Sequence, residues 1–229
     1  MSIPIVDRTF ADPEETVHDH AVMTYMLRRV KQTLMGYEEP VRVRISEPEG
    51  RDHQVIITYP LALHRGRKFT AVGFFGRMQA GAENRTLSSV QEVDEALIGD
   101  FKNFDGLLSY STFQLEVDRY ANMAIFRDRK AMEQWRVNQR HTDAVRMLAA
   151  HHYASIRLHV STIRGSITSL PELYIDVTKY YEYLGDHVWA AVRDVCTGVI
   201  ERKQFASQPV DSAHLEPPHG APLDPQGAT

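Results

Sequence analysis

The residues best suited to proton transfer follow one another on a segment with helical periodicity. Asn138, His141 and Val145 lie within the turns that follow Trp135, so a helix would present a mixed polar and apolar stripe to one neighbour. A neutral imidazole accepts a proton at about pH 7, which makes His141 the best single candidate for a general base. A hydrogen-bonded structural role is nevertheless the more frequent use of a helical histidine, and Trp135 fits a packed core better than chemistry.

This segment belongs to a stretch, residues 69–163, in which strand and helix periodicities follow one another. Apolar positions two apart predict strands, and apolar positions three and four apart predict helices. Gly73 and Gly76 in the first strand would let another group approach the backbone closely. The predicted elements are a strand at 69–78, a helix at 87–101, strands at 107–117 and 120–126, a helix from the Asp128 cap to about 151, and a strand at 156–163. This order is the ferredoxin-like βαββαβ unit, an α+β fold.

A helix and a hairpin are predicted before this unit. Asp12 supplies a cap, Pro13 suits the first helical position, and Glu15 places a carboxylate near the helix start. Alternating apolar residues at 41–45 and 55–59, separated by a turn, predict two paired strands.

The chain after the unit carries weaker signals. Val188, Val192 and Val199 predict an amphipathic helix near 186–203. From about 208 the chain holds five of the eleven prolines, which favours a disordered tail. We therefore divide the chain into an N-terminal extension at 1–66, a ferredoxin-like domain at 67–166, a C-terminal helical appendage at 167–207 and a disordered tail at 208–229.

Composition narrows the class of protein. The chain has 229 residues, is 43% hydrophobic and carries a net charge of −4, so nothing in its charge favours nucleic acid or an anionic membrane as a partner. Its single cysteine, Cys196, cannot form an internal disulfide. The start lacks a signal peptide pattern, and no segment approaches the roughly 18 apolar residues of a membrane span. We expect a cytoplasmic protein.

Five short segments carry a resemblance to a known family. They lie at 105–112, 120–128, 131–135, 140–146 and 157–162. In that order their sequences are AspGlyLeuLeuSerTyrSerThr, TyrAlaAsnMetAlaIlePheArgAsp, AlaMetGluGlnTrp, ArgHisThrAspAlaValArg and ArgLeuHisValSerThr. This succession resembles the antibiotic-biosynthesis-monooxygenase family of dimeric α+β barrels. The features that match best determine the fold: Gly106 before the second strand, Trp135, and the histidine about two turns later.

The resemblance implies a homodimer in which both faces of each sheet are buried. Two four-stranded sheets would meet through their outer faces, while helices cover the inner faces and enclose a pocket. Polar strand residues such as Thr112 would then need partners or a ligand. They either pair with one another or line a pocket for an aromatic, phenolic substrate. On this basis we assign catalysis to His141, His159, Tyr110 and Asn122, and substrate binding to Trp135, Asn138, Arg157, Phe74 and Phe113.

The resemblance also implies chemistry with dioxygen. In the cofactor-free members, a base deprotonates a phenol or quinol, and the resulting carbanion-like enolate reacts with dioxygen. Longer relatives, including the ring-opening oxygenases of angucycline-type polyketide pathways, use reduced flavin. This chain lacks a dinucleotide fingerprint after any strand, so FAD or FMN would serve as a diffusible co-substrate. The sequence therefore predicts an oxygenase for a polycyclic aromatic or quinol natural product, with hydroxylation or oxidative ring opening as the reaction.

Two other functions remain open at this stage. Heme enzymes share the superfamily, but their helical histidine about ten residues after the tryptophan corresponds here to Val145. His151 and His152 are adjacent near the predicted C-terminal end of a helix. A favourable interaction with the helix dipole is sufficient to explain histidines at that position. No zinc-type motif or phosphate loop is present, which argues against a metal site. A non-catalytic ligand-binding protein with a degenerate pocket is the remaining alternative.

Overall fold

The computed structural model describes residues 8–79, 98–99, 101, 103–137, 152–184, 187–195 and 200–201. Within these residues no helix is long and apolar enough to cross a membrane. The helices are α1 (Pro13–Gly36), α2 (Pro60–Arg65) and α3 (Arg129–Arg136). The strands are β1 (Val41–Ser46), β2 (Asp52–Ile57), β3 (Lys68–Met78), β4 (Leu107–Glu116), β5 (Arg119–Phe126), β6 (Tyr153–Arg164), β7 (Glu172–Leu184), β8 (His187–Asp194) and β9 (Ile200–Glu201).

The nine strands of the described residues join one antiparallel sheet in the order β1-β2-β4-β5-β3-β6-β7-β8-β9. The central four, β4-β5-β3-β6, have the strand order of the ferredoxin-like unit, so the predicted α+β unit is confirmed in its strands. The predicted hairpin, β1 and β2, adds to the β4 edge. Three strands that we did not predict add to the β6 edge.

The helix α1 begins where the sequence predicts and covers one face of the sheet, which we call the α1 face. Asp12 caps it by accepting a hydrogen bond from the Glu14 amide at 2.9 Å. Met23, Met26 and other apolar residues of α1 share a core with the odd-numbered positions of β3, such as Phe75. A side chain at Gly73 would come within 2.5 Å of Met23 Sδ, so this glycine permits the close helix–sheet contact.

The helix α3 covers the opposite face, which we call the α3 face. Asp128 caps α3 through the Ala131 amide at 2.8 Å, as predicted. Met132 and Trp135 pack with Phe126 and Val160 of the sheet. The predicted continuation of this helix to about 151, with Asn138 and His141, lies outside the described residues. The same holds for the predicted helix at 87–101, except that residues 98, 99 and 101 are helical.

The predicted C-terminal helix near 186–203 is wrong where the structure describes it. Residues 187–194 form β8, which pairs along its whole length with β7. A four-residue spacing such as that of Val188 and Val192 fits both a helix and one face of a strand. β-Branched and aromatic residues favour the strand, and the open edge of β6 gives β7 and β8 a sheet to extend. The helical appendage that we placed at 167–207 is therefore a β-extension over its described part.

The position of α1 bears on the expected dimer. The resemblance implies a sheet-to-sheet contact through the face opposite the helices of the unit, and α1 occupies that face. A partner placed in this manner would contact the outer side of α1 instead of bare strands. A homodimer stays a prediction, and it would need a different surface from the one the resemblance implies.

Candidate functional site

The sheet separates the predicted site residues into two groups. Strand side chains alternate between faces, and the strand pairing places Tyr110, Asn122 and Phe74 on the α3 face. Arg157, His159 and Phe113 point to the α1 face. The structure therefore does not bring the predicted residues into one pocket. Asn138 and His141 lie beyond the described residues.

A row of neighbouring side chains crosses the middle of the α3 face. Asn122 of β5 is paired with Thr112 of β4 on one side and Phe74 of β3 on the other, and Phe74 is paired with Leu158 of β6. All four side chains are half-buried. The row thus combines an amide, a hydroxyl, an aromatic ring and an aliphatic group on a surface that is still partly accessible.

The side-chain oxygen of Asn122 has no hydrogen-bond partner among the residues that the structure describes. Its Oδ1 is buried, and no residue that the structure describes donates a hydrogen bond to it. The Ser111 and Ser161 hydroxyls also lack described partners, but these residues lie on the α1 face and are 0% exposed. Asn122 differs because a buried acceptor atom belongs to a half-buried side chain. This combination is suited to a ligand that donates a hydrogen bond.

An aromatic cluster closes one side of this row. The Phe101 ring lies 5.0 Å from the Tyr110 ring and 5.5 Å from the Trp135 ring, and Phe104 lies 5.3 Å from Trp135. Trp135 is only 8% exposed and packs in the core. Trp135 is therefore a core residue that also borders the row. Tyr110 is half-buried beside it.

A second aromatic pair lies on the other side of the row. The rings of Phe74 and Tyr153 meet edge to face at 5.1 Å. A side chain at Gly76 would come within 2.5 Å of Tyr153 and 2.7 Å of Phe74. Gly76 therefore allows Tyr153 to lie against the sheet, as the predicted close approach at this glycine requires.

On the α1 face, His159 and Arg157 are held by Asp19 of α1. Asp19 Oδ2 lies 2.8 Å from His159 Nε2 and accepts Arg157 Nε at 2.6 Å, while its Oδ1 accepts Arg157 Nη2 at 2.9 Å. His159 Nδ1 lies 2.8 Å from Thr178 Oγ1. Burial disfavours the charge of Asp19, but the His159 and Arg157 hydrogen bonds outweigh it and lower the pKa of Asp19.

This network accounts for both residues without a ligand. His159 and Asp19 are 0% exposed and Arg157 is 7% exposed. A cleft of about 110 Å³ opens beside Arg157, and its charged wall is internally paired, because Glu15 Oε2 lies 2.9 Å from Arg157 Nη2 and 3.2 Å from Arg119 Nη2. Asp19 could have been found from the sequence, because it lies in the apolar stripe of α1, four residues before Met23.

Phe113 belongs to a second polar network, at the β1–β2 edge. Its ring stacks on His53 at 4.9 Å. His53 Nδ1 lies 2.9 Å from Glu47 Oε1, and Glu47 also accepts hydrogen bonds from Arg29 and from the Tyr25 hydroxyl at 2.5 Å. Burial opposes ionisation, yet the Arg29, Tyr25 and His53 hydrogen bonds lower the pKa of Glu47 to about 2. We did not predict this network, which pins the hairpin to α1.

No group of three or more histidine, cysteine or acidic side chains within the described part of the chain could hold a metal ion. The two strand histidines with described side chains, His53 and His159, are bound to Glu47 and Asp19 on the α1 face.

Comparison with known proteins gives no match to a family model and none to a curated protein. Solved structures give weak likenesses. A protein proposed to be a monooxygenase, from Fusobacterium nucleatum, is 10% identical over 52% of this chain, with a TM-score of 0.35. A heme-degrading enzyme from Listeria monocytogenes is 8% identical over 68% of this chain and 93% of its own length, with a TM-score of 0.35.

A monooxygenase-like protein from Listeria innocua is 10% identical over 53% of this chain and 75% of its own length, with a TM-score of 0.30. The chain spans about half the length, 49%, of the Fusobacterium protein. Likenesses at this level establish neither family nor function.

Proposed function

We propose that this protein is an oxygenase that binds a phenolic or quinol-type aromatic molecule on the α3 face of its sheet. The observation that carries the proposal is the buried Asn122 Oδ1, which lacks a described donor in the middle of a half-buried aromatic and polar row. We also propose the predicted substrate class, which is a polycyclic natural product of the polyketide type.

A hydroxyl-bearing ligand would satisfy Asn122. An unpaired buried acceptor costs about 1–3 kcal/mol, and a phenolic hydroxyl that donates to Oδ1 would recover that cost on binding. Phe74 and Leu158 flank the amide and offer flat apolar area for a ring, while Tyr110 and Trp135 limit its position. The arrangement orients a ring by its hydroxyl group.

The proposed reaction begins with removal of a proton from this ring. The hydrogen bond to Asn122 Oδ1 holds the hydroxyl in place, and His141 stays our predicted base. The electron-rich anion then reacts with dioxygen. In the cofactor-free form, the ring carbon beside the hydroxyl, which is a CH₂ carbon in the keto tautomer, becomes a carbonyl with one oxygen atom, and the second oxygen atom leaves as water with the two hydrogens of that carbon. Reduced flavin, where it takes part, is a diffusible co-substrate.

Heme, our alternative cofactor, gains no support from the described residues. A heme on the α3 face would need an axial ligand there, and His53 and His159 are engaged on the α1 face. The third buried histidine of the described residues, His152, is 1% exposed and already has a partner. The helical position expected for a heme ligand holds Val145.

Dioxygen consumption with 1,4-dihydroxynaphthalene tests the proposal. We expect the protein to accelerate oxygen uptake above the uncatalysed rate. Asn122→Leu keeps the approximate side-chain volume but removes the acceptor, so kcat/KM should fall by about 10-fold or more. Asn103→Leu, at an exposed position outside the sheet, is the matched control and should leave the rate unchanged. Equal rates for the wild-type protein and the Asn122→Leu variant would refute the proposal.

A further inference from the structure

The α3 face continues beyond the ferredoxin-like unit onto β7. Lys179 of β7 is paired with Leu158 and Tyr181 is paired with Ile156, so the row that contains Asn122 extends across another strand. Tyr183 lies two residues beyond Tyr181 and therefore points to the same face. The added strands thus enlarge the surface on which the proposed ligand would lie.

Two tyrosine hydroxyls on this extension form no hydrogen bond with the residues that the structure describes. Tyr181 and Tyr183 are half-buried, and within the described part of the chain neither hydroxyl forms a hydrogen bond. Other tyrosines of β7 differ, because the Tyr174 hydroxyl donates to Glu172 at 2.6 Å and the Tyr180 hydroxyl lies 3.5 Å from Thr16 Oγ1. The two hydroxyls on the extended row are therefore available to a ligand.

The surroundings keep these hydroxyls protonated. Burial raises the pKa of Tyr181, and burial together with the neighbouring Tyr181 raises the pKa of Tyr183 to about 12. Both side chains are hydrogen-bond donors at neutral pH. A carbonyl or ether oxygen of a ligand is the matching acceptor.

We propose that Tyr181 and Tyr183 form a second binding subsite, which holds the far, oxygen-bearing end of an extended polycyclic ligand. This inference rests on the proposed function of the α3 face and adds to it the length and the distal chemistry of the ligand. Asn122 accepts a hydrogen bond from the reacting ring at one end, and the two tyrosines donate to an acceptor at the other.

The strand order sets the length that such a ligand needs. Three strand spacings separate β5 from β7, which is about 14 Å between the backbones of Asn122 and Lys179 at about 4.8 Å per spacing, and Tyr181 and Tyr183 lie a further ~7 Å and ~14 Å along β7. The backbone of Asn122 is therefore about 16 Å from that of Tyr181 and about 20 Å from that of Tyr183. A bicyclic molecule held at Asn122 would cover Phe74 and Leu158 and end before β7. A molecule of four or more fused rings, with a hydroxyl at one end and a carbonyl at the other, would reach Tyr181 when a hydrogen bond of about 2.8 Å is added at each end.

Calorimetric binding of two probes to the full chain tests this inference. 1,4-Dihydroxynaphthalene has two rings, and estrone has four fused rings with a phenolic hydroxyl at one end and a ketone at the opposite end. Tyr181→Phe and Tyr183→Phe remove one hydroxyl each and keep the ring, so the fold should be retained. We expect each variant to bind the four-ring probe about tenfold more weakly and the two-ring probe as the wild-type protein does. Tyr174→Phe, on the same strand, is the matched control and should change neither affinity.

The outcomes separate this inference from the proposed function. If Asn122→Leu weakens binding of both probes while the Tyr181→Phe and Tyr183→Phe variants change neither, the second subsite is refuted and the proposed function stands. Equal losses for both probes in the tyrosine variants would also refute the subsite. If neither probe binds to the wild-type protein, both proposals fail.

Discussion

Asp19 on the α1 face and Asn122 on the α3 face differ in whether their side-chain oxygen atoms have described partners. On the α1 face, Asp19 binds Arg157 and His159, and all three are buried. On the α3 face, Asn122 keeps a buried acceptor without a described partner, in a half-buried side chain. Buried charges that are paired attach a helix to the sheet, whereas an unpaired acceptor beside accessible space is a feature of a binding surface. The difference indicates a structural role for the Asp19 network and supports our proposal that the α3 face binds a ligand.

The largest effect on this comparison should come from Asp19→Ala. The variant leaves Arg157 and His159 buried without their carboxylate, so the free energy of unfolding should fall by about 3–5 kcal/mol in urea denaturation. Asp105→Ala breaks the exposed pair with Arg127, whose atoms lie 3.1 Å apart, and should cost less than about 1 kcal/mol. Similar losses in the two variants would show that the Asp19 network does not hold α1.

Glu47→Gln should have the next largest effect, about 2–3 kcal/mol at neutral pH, because the Arg29 and His53 hydrogen bonds lose their ionised acceptor. The pKa of Glu47 is lowered to about 2 in the folded chain. Its contribution is therefore complete above the unfolded pKa and is lost as pH falls from about 5 towards 2. The stability gap between the wild-type protein and the variant should narrow over that range. A gap that stays constant from pH 7 to 3.5 would contradict this account.

Gly73→Ala tests how closely α1 approaches the sheet, and we expect a loss of about 1–3 kcal/mol. The new methyl group would lie 2.5 Å from Met23 Sδ, so the methionine has to move. Gly36→Ala, at the end of the same helix with nothing within 4 Å, is the control and should not destabilise the protein. A thermal melt of each variant measures the difference, and equal melting temperatures would show that α1 lies further from β3.

Local signals in the sequence predicted most of the described fold. The structure confirms the predicted positions of α1, the start of α3 and the central strands. These predictions came from the Asp12 and Asp128 caps and from the alternation in β3 to β6. The prediction failed at β8, where the spacing of Val188 and Val192 fits two periods and only pairing with β7 decides between them.

The candidate site was harder to predict, because the pairing of strands decides which polar residues meet. Alternation shows that Arg157 and His159 share a face, but it does not show that Asp19, 138 residues from Arg157, lies opposite them. The sequence marks Asn122 only as a polar strand residue. That its Oδ1 has no described hydrogen-bond partner is apparent only when its neighbours across the sheet are known. Long-range contacts therefore decided the parts of the site that local patterns left open.

The most direct test of the contrast between the two faces combines two measurements on Asn122→Leu. Calorimetry gives its affinity for 1,4-dihydroxynaphthalene, and urea denaturation gives its stability. If the α3 face binds ligand, the affinity should fall about tenfold or more while the free energy of unfolding stays within about 1 kcal/mol of the wild-type value. Unchanged affinity, or a loss of stability as large as that of Asp19→Ala, would show that Asn122 is a structural residue and would contradict the account.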